Sequence, residues 1–319
     1  MEKSTHKVEV VRIKLEPHPN ADRLQIARVF DYTCCVALGQ FRDGDLAAYI
    51  VPDSVVPDRP EFAFLGDHRR IKVRKMRGVV SMGLLVPAPP GAKEGDDVAG
   101  ILGVERYVPP ESASTDGTAE PPPEGYRPAF DVDTWYRYAK LFRPGEEVHV
   151  TEKIHGTSGR WCWHGGRLYC GSRTDWKVER PDIVWWKVAA ENPELPEFCR
   201  SHPDLTVYGE VYGWVQDLRY GKKAKGQVDY AVFDLLKGST WLPPAEARQI
   251  GAALKWVPLI AVMKYDPDAI RALADGPSLI PGAAHLREGI VVKPSIERTS
   301  PEIGRVQLKI VSNAYLERA

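Results

Sequence analysis

The stretch Thr151-Glu152-Lys153-Ile154-His155-Gly156-Thr157 decides how the second half of this chain folds and what it does. It closes a β-branched and apolar run, so we predict a strand over Val148 to Lys153 that delivers one lysine to a turn. Gly156 leaves room at that turn for a ligand. Alone, the pattern Lys-x-x-Gly also fits a surface lysine before a hairpin turn, so the residues downstream must separate the two interpretations.

Five further short patterns follow this stretch, each on or beside a predicted strand. Two predicted helices, Pro181 to Asn192 and Pro243 to Leu254, have proline near the first turn and alternate with these strands. The mixture predicts an α+β domain. In chain order the patterns are Gly171-Ser172-Arg173-Thr174, Val207-Tyr208-Gly209-Glu210, Ala231-Val232-Phe233-Asp234, Glu288-Gly289-Ile290-Val291-Val292-Lys293 and Val306-Gln307-Leu308-Lys309-Ile310.

This ordered set resembles the nucleotidyltransferase motifs that ATP-dependent nucleic-acid ligases and capping enzymes share. The form Lys153-Ile154-His155-Gly156-Thr157 is similar to the phage RNA ligase 2 type rather than to DNA ligases. Any one motif could occur by chance, but six in order over residues 150 to 312 argue against chance. The resemblance implies a nucleotidyltransferase domain that uses ATP as a substrate.

The resemblance also implies roles for individual residues. Lys153 would attack the α-phosphate of ATP to form a lysyl-AMP phosphoramide. Glu210 and Glu288 would contact the ribose and a divalent metal, Mg²⁺ or Mn²⁺, and Phe233 would stack on the adenine. The implied nucleotide-binding set consists of Glu152, Ile154, His155, Gly156, Arg173, Glu210, Phe233, Glu288, Lys293 and Lys309.

The nucleophilic role places a requirement on the pKa of Lys153. A free lysine amine has a pKa of about 10.4 and is almost always protonated at neutral pH. Neighbouring cations and partial burial lower such a pKa, and Lys293, Lys309 and Arg173 could supply the cations. We therefore expect a depressed pKa for Lys153.

Two positions depart from the family pattern, and one role stays open. Ser158 stands where the phage RNA ligase 2 pattern has asparagine, which weakens any claim about that contact. Gln307 takes the place of the first of two alternating lysines in the last motif, and Arg305 is a candidate to replace that cation. His155 could take part in the chemistry or only order the turn.

The first hundred residues predict a small β-rich module. Short alternating runs separated by turn signals suggest a barrel or sandwich. The run His18-Pro19-Asn20-Ala21-Asp22-Arg23-Leu24 resembles the OB-fold tRNA-binding domains attached to some aminoacyl-tRNA synthetases. The segment Arg69 to Met76 alternates as a strand would, which places Arg70, Lys72 and Arg74 on one face. Such a stripe could follow a phosphate backbone, although a solvated strand face balanced by acids is the alternative.

A proline-rich segment at 109–125 separates the two halves. It carries five prolines and no large apolar side chain, so we predict an interdomain linker without a helix. The predicted domains are an N-terminal OB-like β-barrel over 1–108 and an α+β nucleotidyltransferase domain over 126–319. This arrangement resembles the fifth RNA-ligase family, bacterial enzymes that join a 3′-OH RNA end to a 5′-phosphate, typically at nicks in a duplex.

Composition limits the remaining possibilities. The 43 basic and 43 acidic residues cancel, which excludes a uniformly cationic binder, and no apolar run approaches the length of a membrane helix. The start of the chain has no apolar signal core, so we expect a cytoplasmic protein without a membrane partner. We expect a nicked RNA or RNA/DNA duplex as the partner and a monomer, with the oligomeric state left open. Two alternatives remain: another covalent nucleotidyltransferase, such as a DNA ligase or capping enzyme, or a nucleic-acid-binding protein with a degenerate ligase domain.

Overall fold

The computed structural model describes residues 6–30, 32–107, 117–125, 127–128 and 131–317. It divides the chain into two compact units. The first contains Met1–Glu111 with Leu316–Ala319, and the second contains Ser112–Tyr315. Much of the predicted linker, residues 109–116, lies outside the described residues, so the predicted domain limits stay a prediction.

The first unit consists of short antiparallel strands around a small apolar core. Two three-stranded sheets have the orders β1-β5-β9 and β2-β3-β4, and two strand pairs, β6 with β10 and β7 with β8, complete it. Alternate residues of the strands point inward, and Val8, Val10, Ala48 and Ile50 are fully buried. The elements are β1 (Val8–Arg12), β2 (Lys14–Pro17), β3 (Leu24–Val29), β4 (Tyr32–Ala37), β5 (Leu46–Ile50), β6 (Ser54–Val55), a 3-10 helix (Pro60–Leu65), β7 (Arg74–Met76), β8 (Val79–Ser81), β9 (Leu84–Pro87), α1 (Ala99–Leu102) and β10 (Glu105–Arg106).

The predicted strand from Arg69 to Met76 is regular only over its last three residues. Before β7 the backbone makes a single bridge, between Arg70 and Val55, and Ile71 exchanges hydrogen bonds with the Asp53–Ser54 backbone. Ile71 is buried, as the alternation predicts. Lys72 and Arg74 are exposed and Arg70 is half-buried, so the three cations do not form one continuous strand face.

The second unit contains two antiparallel-dominated sheets with helices packed on them. One has seven strands in the order β11-β16-β15-β14-β17-β18-β19, and the other has five in the order β12-β24-β21-β13-β20. The elements are β11 (Ala119–Glu120), β12 (Asp133–Thr134), α2 (Trp135–Tyr138), a 3-10 helix (Ala139–Leu141), β13 (Glu147–Lys153), β14 (Thr157–His164), β15 (Arg167–Gly171), β16 (Trp176–Lys177), α3 (Val184–Glu191), α4 (Glu194–Ser201), β17 (Leu205–Gly213), β18 (Val228–Lys237), β19 (Thr240–Trp241), α5 (Pro244–Ile250), β20 (Leu259–Lys264), α6 (Pro267–Ala272), β21 (Gly289–Pro294), β22 (Thr299–Ser300), β23 (Gly304–Arg305), β24 (Leu308–Val311) and α7 (Asn313–Glu317).

The end of the proline-rich segment belongs to the seven-stranded sheet. Strand β11 pairs with β16, and the Glu120 carboxylate accepts a hydrogen bond from Arg167 at 2.7 Å. Residues 119–120 of the predicted linker thus pair with a strand of the second unit, while the linker limits stay a prediction. Backbone hydrogen bonds and one ion pair replace the apolar anchor that the sequence lacks.

The predicted helices exist but are shorter than expected. Helix α3 covers Val184–Glu191 and α5 covers Pro244–Ile250, because in both cases flanking residues form turns. The predicted strand from Val148 to Lys153 is present as β13, which begins one residue earlier, and strands β17, β18, β21 and β24 are present at the later motifs. Helices α4 and α6 were not predicted.

Each sheet has its own apolar core. The larger core includes Trp161, Leu195, Val207 and Leu235, and helices α3, α4 and α5 contribute to it. A second core forms on the five-stranded sheet around Trp135, Val150 and Ile290. Within the described residues, no helix is long and apolar enough to cross a membrane.

Candidate active site

The turn after Lys153 connects the two sheets of the second unit. Strand β13 belongs to the five-stranded sheet and β14 to the seven-stranded sheet, so residues 154–156 cross between them. Ile154 is 4% exposed and packs with Tyr212 and Tyr220, which fixes the turn. A Cβ atom on Gly156 would lie 2.1 Å from the Val211 carbonyl oxygen. The glycine is therefore required because the backbone of β17 approaches too closely for a side chain.

A cavity of about 410 Å³ opens beside this turn. Its volume lies in the range of small-molecule sites, about 300–1,000 Å³. Predicted site residues dominate its lining, while His155 and Glu288 stand beside the cavity rather than in its wall. The lining consists of Asp131, Val132, Thr151, Glu152, Lys153, Ile154, Gly156, Thr157, Ser158, Arg173, Glu210, Phe233, Val257, Val291, Lys293, Gln307 and Lys309.

Lys153 is paired with a carboxylate. Its Nζ lies 2.7 Å from Glu288 Oε2, and the two side chains are 25% and 12% exposed. Burial lowers the pKa of Lys153, but the carboxylates of Glu288 and Glu210 outweigh burial and leave the pKa above its ordinary value. The expected depression of this pKa was wrong for the protein without ligands, because acids rather than cations surround the amine.

The pKa values of the two carboxylates are shifted in opposite directions. Burial raises the pKa of Glu210 to about 8, although Lys153 partly offsets it. Burial acts in the same direction on Glu288, but Lys153 and His155 outweigh it and hold the pKa of Glu288 below its ordinary value. Glu288 is thus the more acidic of the two and pairs with Lys153, whereas burial disfavours the charged form of Glu210.

His155 is held on three sides. Its Nε2 lies 2.7 Å from Asp217 Oδ1, and its Nδ1 lies 3.1 Å from the Tyr315 hydroxyl and 3.7 Å from Glu288 Oε2. Its backbone N–H donates to the Tyr220 hydroxyl at 2.6 Å. Sequence reasoning missed Asp217 and Tyr315, because nothing in a loop aspartate or a C-terminal tyrosine marks it as a neighbour of His155.

Lys293 and Arg305 share one buried carboxylate. Each approaches Asp234 Oδ1 at 2.7 Å, and the three side chains are at most 8% exposed. Lys293 Nζ also donates to the Phe233 carbonyl oxygen at 2.7 Å. The Lys293 ammonium group therefore holds the backbone of Phe233 as well as the carboxylate of Asp234. Arg305 also pairs with Glu297 and is absent from the cavity lining, whereas Gln307 is present, so Arg305 does not replace the missing motif lysine there.

The other predicted nucleotide-binding residues have separate partners. The carboxylate of Glu152, a residue 1% exposed, accepts hydrogen bonds from Ser278 Oγ at 2.6 Å and the Leu279 N–H at 2.7 Å, so it fixes the loop before β21. Arg173 pairs with Asp131 at the cavity wall. Burial lowers the pKa of Lys309, and the charge of Lys153 lowers it further. Lys309 therefore lies close enough to Lys153 for their charges to interact.

The first unit has a cavity of its own, of about 440 Å³. Arg70, Lys72 and Arg74 line it together with apolar residues of β4 and β9 and with Phe64, which is 66% exposed. Arg70 is not free, since it pairs with Asp53 at 2.7 Å and stacks on Tyr107 at 3.7 Å. The structure thus brings the three predicted cations to one groove and leaves Lys72 and Arg74 exposed there.

Comparison with known proteins agrees with this arrangement. The chain superposes on Naegleria gruberi RNA ligase structures over nearly its full length. A mutant with AMP and Mn gives a TM-score of 0.81 at 23% identity over 99% of each chain. The ligase with pyrophosphate gives 0.78 at 24% identity over 98% of each chain. A mutant with ATP and Mn gives 0.79 at 24% identity over 98% of each chain. No curated protein sequence matches the chain significantly.

Two family models match the chain. An OB-fold domain model matches residues 7–88, which confirms the predicted fold of the first unit. The RNA ligase model matches residues 146–311, which is more than half of the chain and includes all of the strands that line the cavity beside Lys153. The α+β fold with an N-terminal OB module is confirmed by both matches and by the structural likeness. The chain therefore belongs to the RNA ligase family.

Proposed function

We propose that this protein joins RNA ends in an ATP-dependent reaction that passes through lysyl-AMP on Lys153. The observation that carries the proposal is the position of Lys153, the one lysine of a turn that reaches a nucleotide-sized cavity between carboxylates and Lys309. The related Naegleria gruberi structures contain ATP, AMP or pyrophosphate, which supports ATP as the nucleotide.

The reaction proceeds in three steps. Lys153 Nζ attacks the α-phosphorus of ATP, so that a P–N bond forms, the bond to pyrophosphate breaks and the amine loses a proton. An oxygen of an RNA 5′-phosphate then displaces the lysine, which recovers a proton, and the RNA carries an adenylylated 5′ end. Finally the 3′-OH oxygen attacks that 5′-phosphate, and AMP leaves as the phosphodiester forms.

A divalent cation fits the acidic side of the cavity. The charges of Glu210 and Glu288 both raise the pKa of Lys153, so both carboxylates lie near its amine. Mg²⁺ typically binds one or two carboxylates together with substrate phosphates. Within the described residues no group of three or more acidic, histidine or cysteine side chains could hold a metal by itself, which agrees with a site completed by ATP. A cation bound there would offset the carboxylate charge that keeps Lys153 protonated.

The remaining cavity residues have consistent roles. Lys309 and Arg173 face the cavity as phosphate contacts, and Phe233 presents its ring as an apolar contact for adenine. Lys293 also lines the cavity, and its Nζ holds the backbone of Phe233.

Labelling with α-labelled ATP tests the proposal. The wild type should form a labelled protein–AMP adduct, and Lys153→Ala should form none. The matched control is Lys140→Ala, which removes a surface lysine that is 69% exposed in the same unit. Equal labelling of the Lys153→Ala variant would refute the assignment, and labelling by GTP in place of ATP would indicate a capping-type enzyme.

The substrate that we propose is a nick in an RNA-containing duplex, bound partly by the first unit. Lys72 and Arg74 lie exposed at an apolar groove with an exposed aromatic ring, a combination suited to phosphates and bases. Lys72→Ala with Arg74→Ala should weaken sealing of a nicked duplex but not protein–AMP formation. Arg12→Ala with Arg28→Ala, exposed cations of the same unit, is the control. Sealing that equals the control would leave the groove without this role.

A cytoplasmic location and a monomeric state remain predictions from the sequence.

A further inference from the structure

The loop between β17 and β18, residues 214–227, contacts the turn that follows Lys153. It follows the strand that carries Glu210 and precedes the strand that carries Phe233. Its Gln216 Nε2 donates to the Gly156 carbonyl oxygen at 3.4 Å, and its Asp217 contacts His155 at 2.7 Å. The loop is therefore anchored directly on the turn that follows Lys153.

The loop is also held from its far side. Gly221 packs so closely on Gly282 that a Cβ atom would lie 2.6 Å from the Gly282 carbonyl oxygen. Trp214 Nε1 donates to the Lys222 carbonyl oxygen at 3.1 Å, and Lys187 Nζ donates to the Gly226 carbonyl oxygen at 2.6 Å. These contacts hold the loop backbone, which sets where its exposed side chains leave the chain.

The loop carries an excess of positive charge. It contains four cations and one acid, Asp217, and that acid is engaged by His155. The nearest further acid is Asp229, which already pairs with Lys222 and Lys255 at 2.8 Å each. Lys223 and Lys225 are exposed, and no acidic partner within the described part of the chain lies within ion-pair distance of them. Arg219 of the same loop stacks on Trp214 at 4.1 Å and donates to the Gln216 carbonyl oxygen, so its guanidinium is held in place.

We propose that Arg219, Lys223 and Lys225 form a surface that binds the phosphate backbone of the RNA strand whose 5′ end is adenylylated. This inference rests on the proposed function and adds a second RNA-binding surface, in the catalytic unit itself. The second reaction step needs an RNA 5′-phosphate next to the lysyl-AMP, and the third step needs the adenylylated 5′ end next to the 3′-OH. A fixed cationic loop anchored on the Lys153 turn meets that need, because cations neutralise phosphates and a stacked guanidinium presents its N–H groups in a plane.

The test uses the full chain with Lys223→Ala and Lys225→Ala together, and leaves the stacked Arg219 in place. Lys140→Ala with Lys237→Ala is the matched control, since it also removes two exposed lysines from the second unit. Three quantities are measured: protein–AMP formation from ATP, sealing of a nick whose 5′ strand is already adenylylated, and binding of fluorescent nicked RNA at several salt concentrations.

We expect the loop variant to raise the KM for the adenylylated nick on the order of 10-fold, while protein–AMP formation stays within about twofold of the control. The slope of log K against log[salt] should become shallower by about 1.8, the value for two lost duplex phosphate contacts. KM and slope equal to the control would overturn the proposal. A parallel loss of protein–AMP formation would also overturn it, because the lysines would then act on ATP. If no protein seals a nick, the proposed function fails, and the binding slopes still decide whether the loop contacts RNA.

Discussion

Removing the carboxylate of Asp234 should destabilise the second unit strongly. Asp234 is the common partner of Lys293 and Arg305, and burial of all three side chains leaves little water to replace it. At 2.7 Å and an effective dielectric constant of about 20, each ion pair has a Coulomb energy of roughly 6 kcal/mol before the cost of desolvation. Variants that leave one buried charge without its partner typically lose about 3–5 kcal/mol. We expect Asp234→Asn to lower the free energy of unfolding by about 3–5 kcal/mol.

Urea unfolding followed by tryptophan fluorescence measures this loss in the intact chain. All nine tryptophans lie between residues 135 and 256, so the signal reports the second unit alone. The control is Asp204→Asn, which breaks an exposed pair with Lys237 at 3.6 Å and should cost about 0.5 kcal/mol or less. Adding Lys293→Met to Asp234→Asn should recover part of the loss, because it removes the buried cation that has lost its carboxylate, whereas Arg305 still pairs with Glu297. A loss below about 1 kcal/mol for Asp234→Asn would refute the buried-pair reasoning.

The ion pairs of Asp234 also predict how the free energy of unfolding depends on pH. Burial acts to raise the pKa of Asp234, but Arg305 and Lys293 outweigh it, so the folded-state pKa lies below its ordinary value. The stabilisation is therefore complete above the unfolded-state pKa of about 3.9 and is lost as the pH falls through the folded-state pKa. The difference in unfolding free energy between the wild type and Asp234→Asn should be constant near neutral pH and shrink below about pH 4. A difference that grows on acidification would contradict this sign.

Three further predictions concern the turn at Lys153. Lys153→Arg should form no protein–AMP adduct, since a guanidinium stays protonated, and a labelled adduct on this variant would show that another residue reacts. Gly156→Ala places a Cβ atom 2.1 Å from a backbone oxygen and should slow protein–AMP formation by about 10²-fold. The control Gly100→Ala, which has open space around it, should not change the rate. Equal rates for the two variants would mean that the turn tolerates the displacement. Asp217→Ala frees one side of His155 and should slow sealing on the order of 10-fold, and rescue by Asp217→Glu would separate an orienting role from a loss of folding.

The sequence by itself determined the fold class and the order of the motifs. The alternation of the strands, the glycine after Lys153 and the spacing of the later motifs are local properties, so they can be predicted without the tertiary structure. The strands that carry Lys153, Glu210 and Phe233 are present where they were predicted, because each is an apolar run with a β-branched backbone preference. The OB module was predictable for the same reason.

Only the tertiary structure decided which charges meet. The sequence suggested that cations surround Lys153, but the fold places Glu288 and Glu210 beside the amine and turns Lys293 toward Asp234. The Lys153–Glu288 pair depends on the pairing of β13 with β21, and the Asp234–Lys293 pair depends on how the two sheets pack; no local pattern encodes either. The proline-rich segment shows the same limit: Glu120 enters a sheet through hydrogen bonds to a distant strand. Backbone pairing and electrostatics over long sequence distances are decided by packing, whereas strand formation and motif order follow from neighbouring residues.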